Sequence, residues 1–408
     1  MLRGNAIVGQ SGGPTSAINA TLAGVINGAF AAHEEKIIDT LYGMRNGIEG
    51  FLKEDFVNLF ELFSNKDDIE TLAKTPAAAL GSCRKKLKSI EADRETYDRI
   101  FEIFEKHNIR YFFYIGGNDS MDTVSKLSLY AKEKNYDIRV VGVPKTIDND
   151  LMATDHTPGF ASAAKFVATT MKELNRDISV YNLKSVTIVE VMGRDAGWLT
   201  AASAIPAITG DAPDLIYLPE TPFDIDKFIE DVEAKTKIRP AIIVAVSEGI
   251  KLADGTYVAS AKNGGTDAFG HPQLSGTAKV LENIVKERIG CKVRSIELSL
   301  VQRCAGHVMS YVDYTESLRI GAEAVNSALK GESGVMMTFV RSNGDEYSVE
   351  VKSADISKIA NAVRTVPREY INEDGNGISE ACIKHLAPLI VGEVEQKYVN
   401  GLPLHFVI

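Results

Sequence analysis

The sequence predicts an α/β protein of doubly wound type, and two recurring patterns carry that prediction. Apolar runs rich in Val and Ile end at Gly117, Lys145, Arg194, Gly249 and Leu300 ("YFFYIGG", "IRVVGVPK", "SVTIVEVMGR", "PAIIVAVSEG", "RSIELSL"). Strands that are apolar on both faces belong to parallel sheets covered by helices. Between them lie amphipathic stretches such as the one carrying Tyr97, Ile100, Phe101 and Phe104, whose spacing puts one apolar stripe on a helix. Ligands in such folds gather beyond the carboxyl ends of the strands.

The first strand leads into "IVGQSGGPTSAINATLAGV", where Gly12 and Gly13 bare the backbone and a helix is expected from about Pro14 to Ser16. Exposed N–H groups and a helix N-terminus suit a phosphate, although an ordinary strand-turn-helix reads the same way. No GK[ST] follows, so this is not a P-loop, and the absence of GxGxxG argues against a nicotinamide dehydrogenase. A second strand meets Gly116 and Gly117, then Asn118, Asp119 and Ser120 at the start of a helix. Asp119 or Ser120 could serve there as a simple N-cap. An acid at Asp119 would also repel a bulky anionic tail lying over the turn.

The third strand, "VVGVPKTIDND", empties into Asp148 and Asp150, with Lys145 just before them. In extended backbone both aspartates point to one side and Asn149 to the other. A solvated acidic turn is the plain alternative. Against it, phosphoryl transfer to an alcohol requires two carboxylates with separate tasks, one for the hydroxyl proton and one for the metal that bridges phosphate oxygens. Further on, Arg84, Arg194, Arg294 and Arg303 stand near strand ends, where several guanidinium groups would make a sugar-phosphate pocket. Trp198 is expected to pack. "SNGDEYSVEV" reads as a polar turn between two strands, and "REYINEDGNGIS" as a loop.

Composition narrows the partners. The 408 residues are 45% hydrophobic and 25% charged, an ordinary globular balance. The net charge of −10 and the lack of any basic run beyond "RKKLK" argue against nucleic acid. Neither a signal-peptide core nor a membrane-length apolar stretch is seen, so a soluble cytoplasmic protein is expected. Cys83, Cys291, Cys304 and Cys382 form no metal-ligand spacing and are expected to be reduced, mostly packing residues.

"GGPTSAIN", "GSCR", "GGNDS", "PKTIDND", "MGRDAGW", "SEG" and the late "QR" occur in the order found in the phosphofructokinase family, which the chain resembles over roughly residues 5 to 330. The resemblance implies two α/β domains with the active site in the cleft between them. Residues 1–159 plus about 302–345 would bind the phosphoryl donor; residues 160–301 plus about 346–408 would bind the sugar phosphate. The implied reaction is the reversible, glycolytic phosphorylation of fructose 6-phosphate at its 1-hydroxyl, in a homodimer or homotetramer using Mg2+. Asp148 would be the general base, with Asp150 and Asn118 at the metal, and Thr146, Arg84 and Lys145 on the phosphoryl group. Gly12, Gly13, Gly117, Asn118, Asp119 and Lys145 would bind the donor. Thr146, Asp148, Asp150, Met192, Gly193, Arg194, Glu248, Arg294 and Arg303 would bind the sugar phosphate.

ATP-using members have glycine at the positions of Asp119 and Lys145, and the diphosphate-using branch resembles this chain at both. Inorganic diphosphate is therefore the expected donor. The alternatives are an ATP-dependent enzyme with unusual loops and, from another class, a non-catalytic sugar-phosphate sensor, which would have no use for a general base. The chain departs from the family at Asn118, usually an aspartate, at "QRCA" in place of "QRGG", and at Leu300. Ser185 falls where an arginine reaching a neighbouring subunit is common, with Lys184 beside it.

Overall fold

The computed structural model describes residues 2–180, 182–261, 276–344, 346–360 and 362–408. Strands β1 (Gly4–Gln10), β2 (Ile38–Met44), β3 (Phe56–Asn58), β4 (Ile109–Gly116) and β5 (Arg139–Pro144) belong to a first sheet. A second is built by β6 (Ser185–Val191), β7 (Leu215–Tyr217), β8 (Ala241–Ser247) and β9 (Lys292–Glu297). The chain then returns to the first through β10 (Val335–Arg341) and β11 (Val349–Asp355). The orders are β11-β10-β5-β4-β1-β2-β3 and β7-β8-β6-β9, and only the outer pairs β2/β3 and β10/β11 are antiparallel.

The apolar strands are covered on both faces, as their patterns predict. Val8, Phe113 and Val141 enter one core of the first sheet while their neighbours Ile7, Phe112 and Val140 enter the core on the other side. In the second sheet Val189, Ile243 and Ala245 face one core, and Ile188, Ile242 and Val244 the other. Tyr97, Ile100, Phe101 and Phe104 are buried along the helix Arg94–Lys106. Trp198 is 2% exposed and packs. All four cysteines are free, but Cys304 is exposed and so does not pack. No helix among the described residues is long and apolar enough to cross a membrane.

Two boundaries differ from the sequence reading. The first helix begins at Ile18, later than expected, because its approach is held in other bonds. Ser11 N donates to Ile115 O, Gly12 N to Cys83 O, and Thr15 O accepts from Ala77 N, so residues 11–17 form a loop. The boundary near residue 345 also shifts: β11 pairs antiparallel with β10 along its whole length, from Val335 with Asp355 to Arg341 with Val349, and so stays with the first sheet.

Backbone contacts lock two helices of the first sheet to each other, and one of them to a helix of the second. A Cβ at Gly24 would lie 2.1 Å from Leu318 O, so the helices Ile18–Glu34 and Tyr311–Leu329 meet main chain to main chain. Buried Asp313, on the second of these helices, accepts from the N–H groups of Gly159 and Ser162, each at 2.9 Å. It thereby caps the helix Phe160–Ile178, which leads to the second sheet.

The carboxy-terminal segment returns to the acidic loop through Arg364, which sequence reading did not single out. Its guanidinium donates to Asn149 O (3.3 and 3.0 Å), Thr154 O (3.0 Å) and Asp155 O (2.6 Å) and lies 4.6 Å over the Trp198 ring. Its own N–H reaches Asp150 O at 2.8 Å. Arg364→Ala leaves three carbonyls of this loop without partners. It should lower unfolding stability by about 2–4 kcal/mol, and Arg364→Lys, which lacks the planar fork, should restore only part. Denaturant melts that superimpose on the wild type would contradict this role.

Candidate functional site

The carboxyl ends of β1, β4, β5, β6 and β8 converge on a cavity of about 440 Å³ between the sheets. Gly12, Gly13, Arg84, Gly117, Asn118, Asp119, Lys145, Thr146, Asp148, Asp150, Met192, Arg194, Glu248 and Arg303 line it together. Gly193 is adjacent and donates its N–H to Glu248 Oε1 at 3.3 Å. Arg294 does not belong to this cavity. It pairs with Thr187 near the start of β6, well before the strand's carboxyl end, and lines a separate small recess with Ser185 and Lys292. "RSIELSL" as a strand is correct in kind, but its arginine stands at the wrong end of it.

The first glycine turn matters because charged side chains lie directly over it. A Cβ at Gly12 would be 3.2 Å from Lys145 Nζ, and one at Gly13 would be 3.1 Å from Arg303 Nη1. Lys145 is 4% exposed, and burial pushes its ammonium down to about 8, against the pull of Asp148 and Asp150. The helix Asn118–Lys134 starts from Gly117 without a side-chain cap, so neither Asp119 nor Ser120 serves as the N-cap. Asp119 Oδ1 instead pairs with Lys86 Nζ at 2.9 Å. The acid at Asp119 therefore has a counter-ion, supplied two residues past Arg84 by the run "RKKLK".

The acidic loop is not extended, as the sequence reading assumed. Asn149 is left-handed (φ 55°) and fully buried, which turns the chain between the two aspartates while both still line the cavity. Asp148 N donates to Thr146 Oγ1 at 3.1 Å, and that hydroxyl lies 3.3 Å from Asp148 Oδ2. Burial raises the Asp148 carboxyl while Lys145 holds it down. Burial and the charge of Asp148 push Asp150 up to about 7, and burial, helped by the charges of Asp148 and Glu190, takes Glu248 to about 7. Around the second sheet, Met192 N donates to Gln302 Oε1 at 3.2 Å, tying the "MGR" turn to the "QR" turn.

Asn118 and Asp150 fit a hard cation. Asn118 Nδ2 donates to Asp150 Oδ2 at 3.3 Å, while Asn118 Oδ1 is buried with no hydrogen-bond partner. One carboxylate and one free amide oxygen suit Mg2+, which keeps waters and shares donor phosphates instead of needing a full protein cage. Among the described residues no group of three or more His, Cys, Asp or Glu side chains forms such a cage. Besides Lys86, sequence reading missed Lys85 and Val363 in the lining; the basic run at 84–88 was the available signal for the lysines.

The chain is similar to known proteins over nearly its whole length. The phosphofructokinase family model matches residues 5–328. A protein of Halomonas elongata named pyrophosphate--fructose 6-phosphate 1-phosphotransferase is 42% identical, over 99% of this chain and 96% of its own length. One of the same name from Methylococcus capsulatus is 40% identical, over 98% and 94%. The crystal structure of a pyrophosphate-dependent phosphofructokinase from Nitrosospira multiformis superposes with a TM-score of 0.88 at 38% identity, covering 98% of this chain and 95% of that one. With the family model matched over residues 5–328 and relatives about 40% identical over nearly the whole chain, the chain belongs to the phosphofructokinase family.

Proposed function

We propose that the protein transfers a phosphoryl group from inorganic diphosphate to the 1-hydroxyl of fructose 6-phosphate, reversibly, giving fructose 1,6-bisphosphate and orthophosphate. The observation that carries this reading is the buried ammonium of Lys145, held between the Gly12 turn and the acidic pair. A small, highly charged donor with no nucleoside gains most from such a cation, because the phosphates are all it offers for binding. The first sheet's loops would form the donor side and the second sheet's loops the sugar side.

In this mechanism Asp148 accepts the hydroxyl proton as the sugar oxygen bonds to the near phosphorus, while the P–O–P bond breaks and orthophosphate leaves with its electron pair. Thr146, whose hydroxyl already holds the Asp148 main chain, orients the base. Lys145, Arg84 and Arg303 balance charge on the oxygens in flight. Arg194, Met192, Gly193 and Glu248 receive the sugar phosphate. Magnesium, held by Asp150 and Asn118 together with donor oxygens, would neutralise charge on the diphosphate. Arg294, on its separate recess with Lys292, is suited to reach the sugar phosphate of a second copy, and we propose a homo-oligomer on that ground.

Asp148→Asn should lower kcat by about 10²–10⁴-fold and move KM far less; near wild-type turnover in the folded variant would remove Asp148 as the base. Initial rates with fructose 6-phosphate and magnesium should be high with diphosphate and marginal with ATP, and Lys145→Gly should injure the diphosphate reaction. A wild type that prefers ATP would overturn the donor. The pH profile follows from Lys145, which is charged below its value of about 8 and neutral above it. Thus kcat/KM for diphosphate should fall as pH rises through about 8, and Lys145→Arg, always charged, should carry that limb to higher pH. A limb that does not move in the arginine variant would assign it to another group.

A further inference from the structure

The turn that carries Arg194 is held at both of its ends. On the near side Met192 N donates to Gln302 Oε1 at 3.2 Å and Gly193 N to Glu248 Oε1 at 3.3 Å. A Cβ at Gly249 would lie 1.9 Å from Arg194 O, so main chain there rests on main chain. On the far side the holder is Glu220, just beyond β7, which sequence reading did not single out. Its Oε1 accepts from Gly197 N at 2.8 Å. A Cβ at Gly197 would come within 2.7 Å of Glu220 Oε2, so the acid approaches this closely because the position is glycine.

The same Oε1 accepts a second N–H, from Val366, also at 2.8 Å. Val366 belongs to the segment 362–367, whose Val363 lines the cavity. In that segment Arg364 N reaches Asp150 O at 2.8 Å, and Arg364 O accepts from Trp198 Nε1 at 3.0 Å. The segment therefore runs from the acidic loop to the Arg194 turn, and Glu220 fastens it to the turn's main chain. The second oxygen of the acid, Oε2, is buried without a hydrogen-bond partner among the described residues, and burial pushes the carboxyl above its usual range. An acid so placed is costly, and the two N–H groups on its other oxygen help offset that cost.

We propose that Glu220 is a positioning residue of the acceptor site: by joining the turn that carries Arg194 to the segment that holds Asp150, it sets the spacing between the groups that receive the sugar phosphate and the carboxylates that act on the sugar hydroxyl. Glu220 acts on the acceptor and not on the donor, because the donor loops are fixed by other bonds, Gly12 N to Cys83 O at 3.1 Å and Lys145 N to Gly116 O at 3.0 Å. This inference rests on the phosphoryl-transfer reading above.

Glu220→Ala, Glu220→Gln and Glu220→Asp test it, with kcat and KM for fructose 6-phosphate at saturating diphosphate and magnesium, and calorimetric binding of inorganic diphosphate alone. Displacing a substrate-holding group by ~1 Å costs up to about 100-fold, so kcat/KM for fructose 6-phosphate should fall about 10- to 100-fold in Glu220→Ala while the Kd for diphosphate stays within about twofold. Glu220→Gln, whose amide oxygen can accept both N–H groups, should recover most of the loss. Glu220→Asp keeps the charge but is too short to reach both groups, and should fall between the two; it carries the same comparison if the alanine variant does not fold. An acid with a merely structural role would lower Tm and leave the acceptor kinetics of the folded enzyme where they were. Unchanged kcat/KM for fructose 6-phosphate in the folded alanine or aspartate variant, an equal loss of diphosphate affinity, or no recovery in Glu220→Gln would each overturn the proposal. A wild type that does not phosphorylate fructose 6-phosphate from diphosphate would instead strike at the functional reading, and that result is read without any variant.

Discussion

The arrangement depends on keeping one lysine cationic inside the protein. Burial disfavours the ammonium of Lys145 and brings it down to about 8, and the site counters this with Asp148 and Asp150 a few residues along the same loop. Those carboxylates are in turn raised by their own burial and, for Asp150, by each other's charge. None of the three is comfortable alone. A desolvated cation beside carboxylates that bind protons more readily than in water is an arrangement that gains energy when a polyanion and an alcohol enter, because both kinds of charge then find work.

Such a cluster survives only if its backbone cannot relax away from it. Arg364 binds three carbonyls of the acidic loop from the carboxy-terminal segment, and Asp313 caps the helix that follows that loop from the far side of the junction. Between them lies His156, hydrogen-bonded to Asp155 and Glu316 and pushed up to about 9 by those two acids despite its burial. The loop is thus fixed by ionic and backbone contacts beneath it, and its upper surface is left for ligands. The first glycine turn completes the design from the opposite side: side chains at Gly12 and Gly13 would crowd the Lys145 and Arg303 cations.

Much of this was legible in the residues. Doubly covered strands announced themselves through unbroken Val and Ile runs, and the cavity forms where those runs end, so that Gly12, Gly117, Lys145, Asp148, Arg194 and Glu248 could be gathered without coordinates. What escaped depends on distances that periodicity does not encode. That Arg294 lies outside its own chain's cavity escaped because a strand's hydrophobic pattern does not say which of its ends an arginine occupies relative to the next strand. Arg364 was invisible because its partners are carbonyls, which leave no mark in a sequence, and the left-handed turn at Asn149 was missed for the same reason. The partner of Asp119 was not legible because Lys86 comes from another loop.

The central claim, a buried lysine whose charge the site sustains up to about pH 8 and whose ligand sustains it above that, has a direct calorimetric signature. Diphosphate binding measured at pH 8.5 in buffers of different ionisation enthalpy reports the protons taken up, and the difference between wild type and Lys145→Met isolates the contribution of Lys145. The account predicts clear uptake in the wild type that is lost in the methionine variant, together with a much weaker affinity. Equal proton uptake and equal affinity in the two proteins would contradict it.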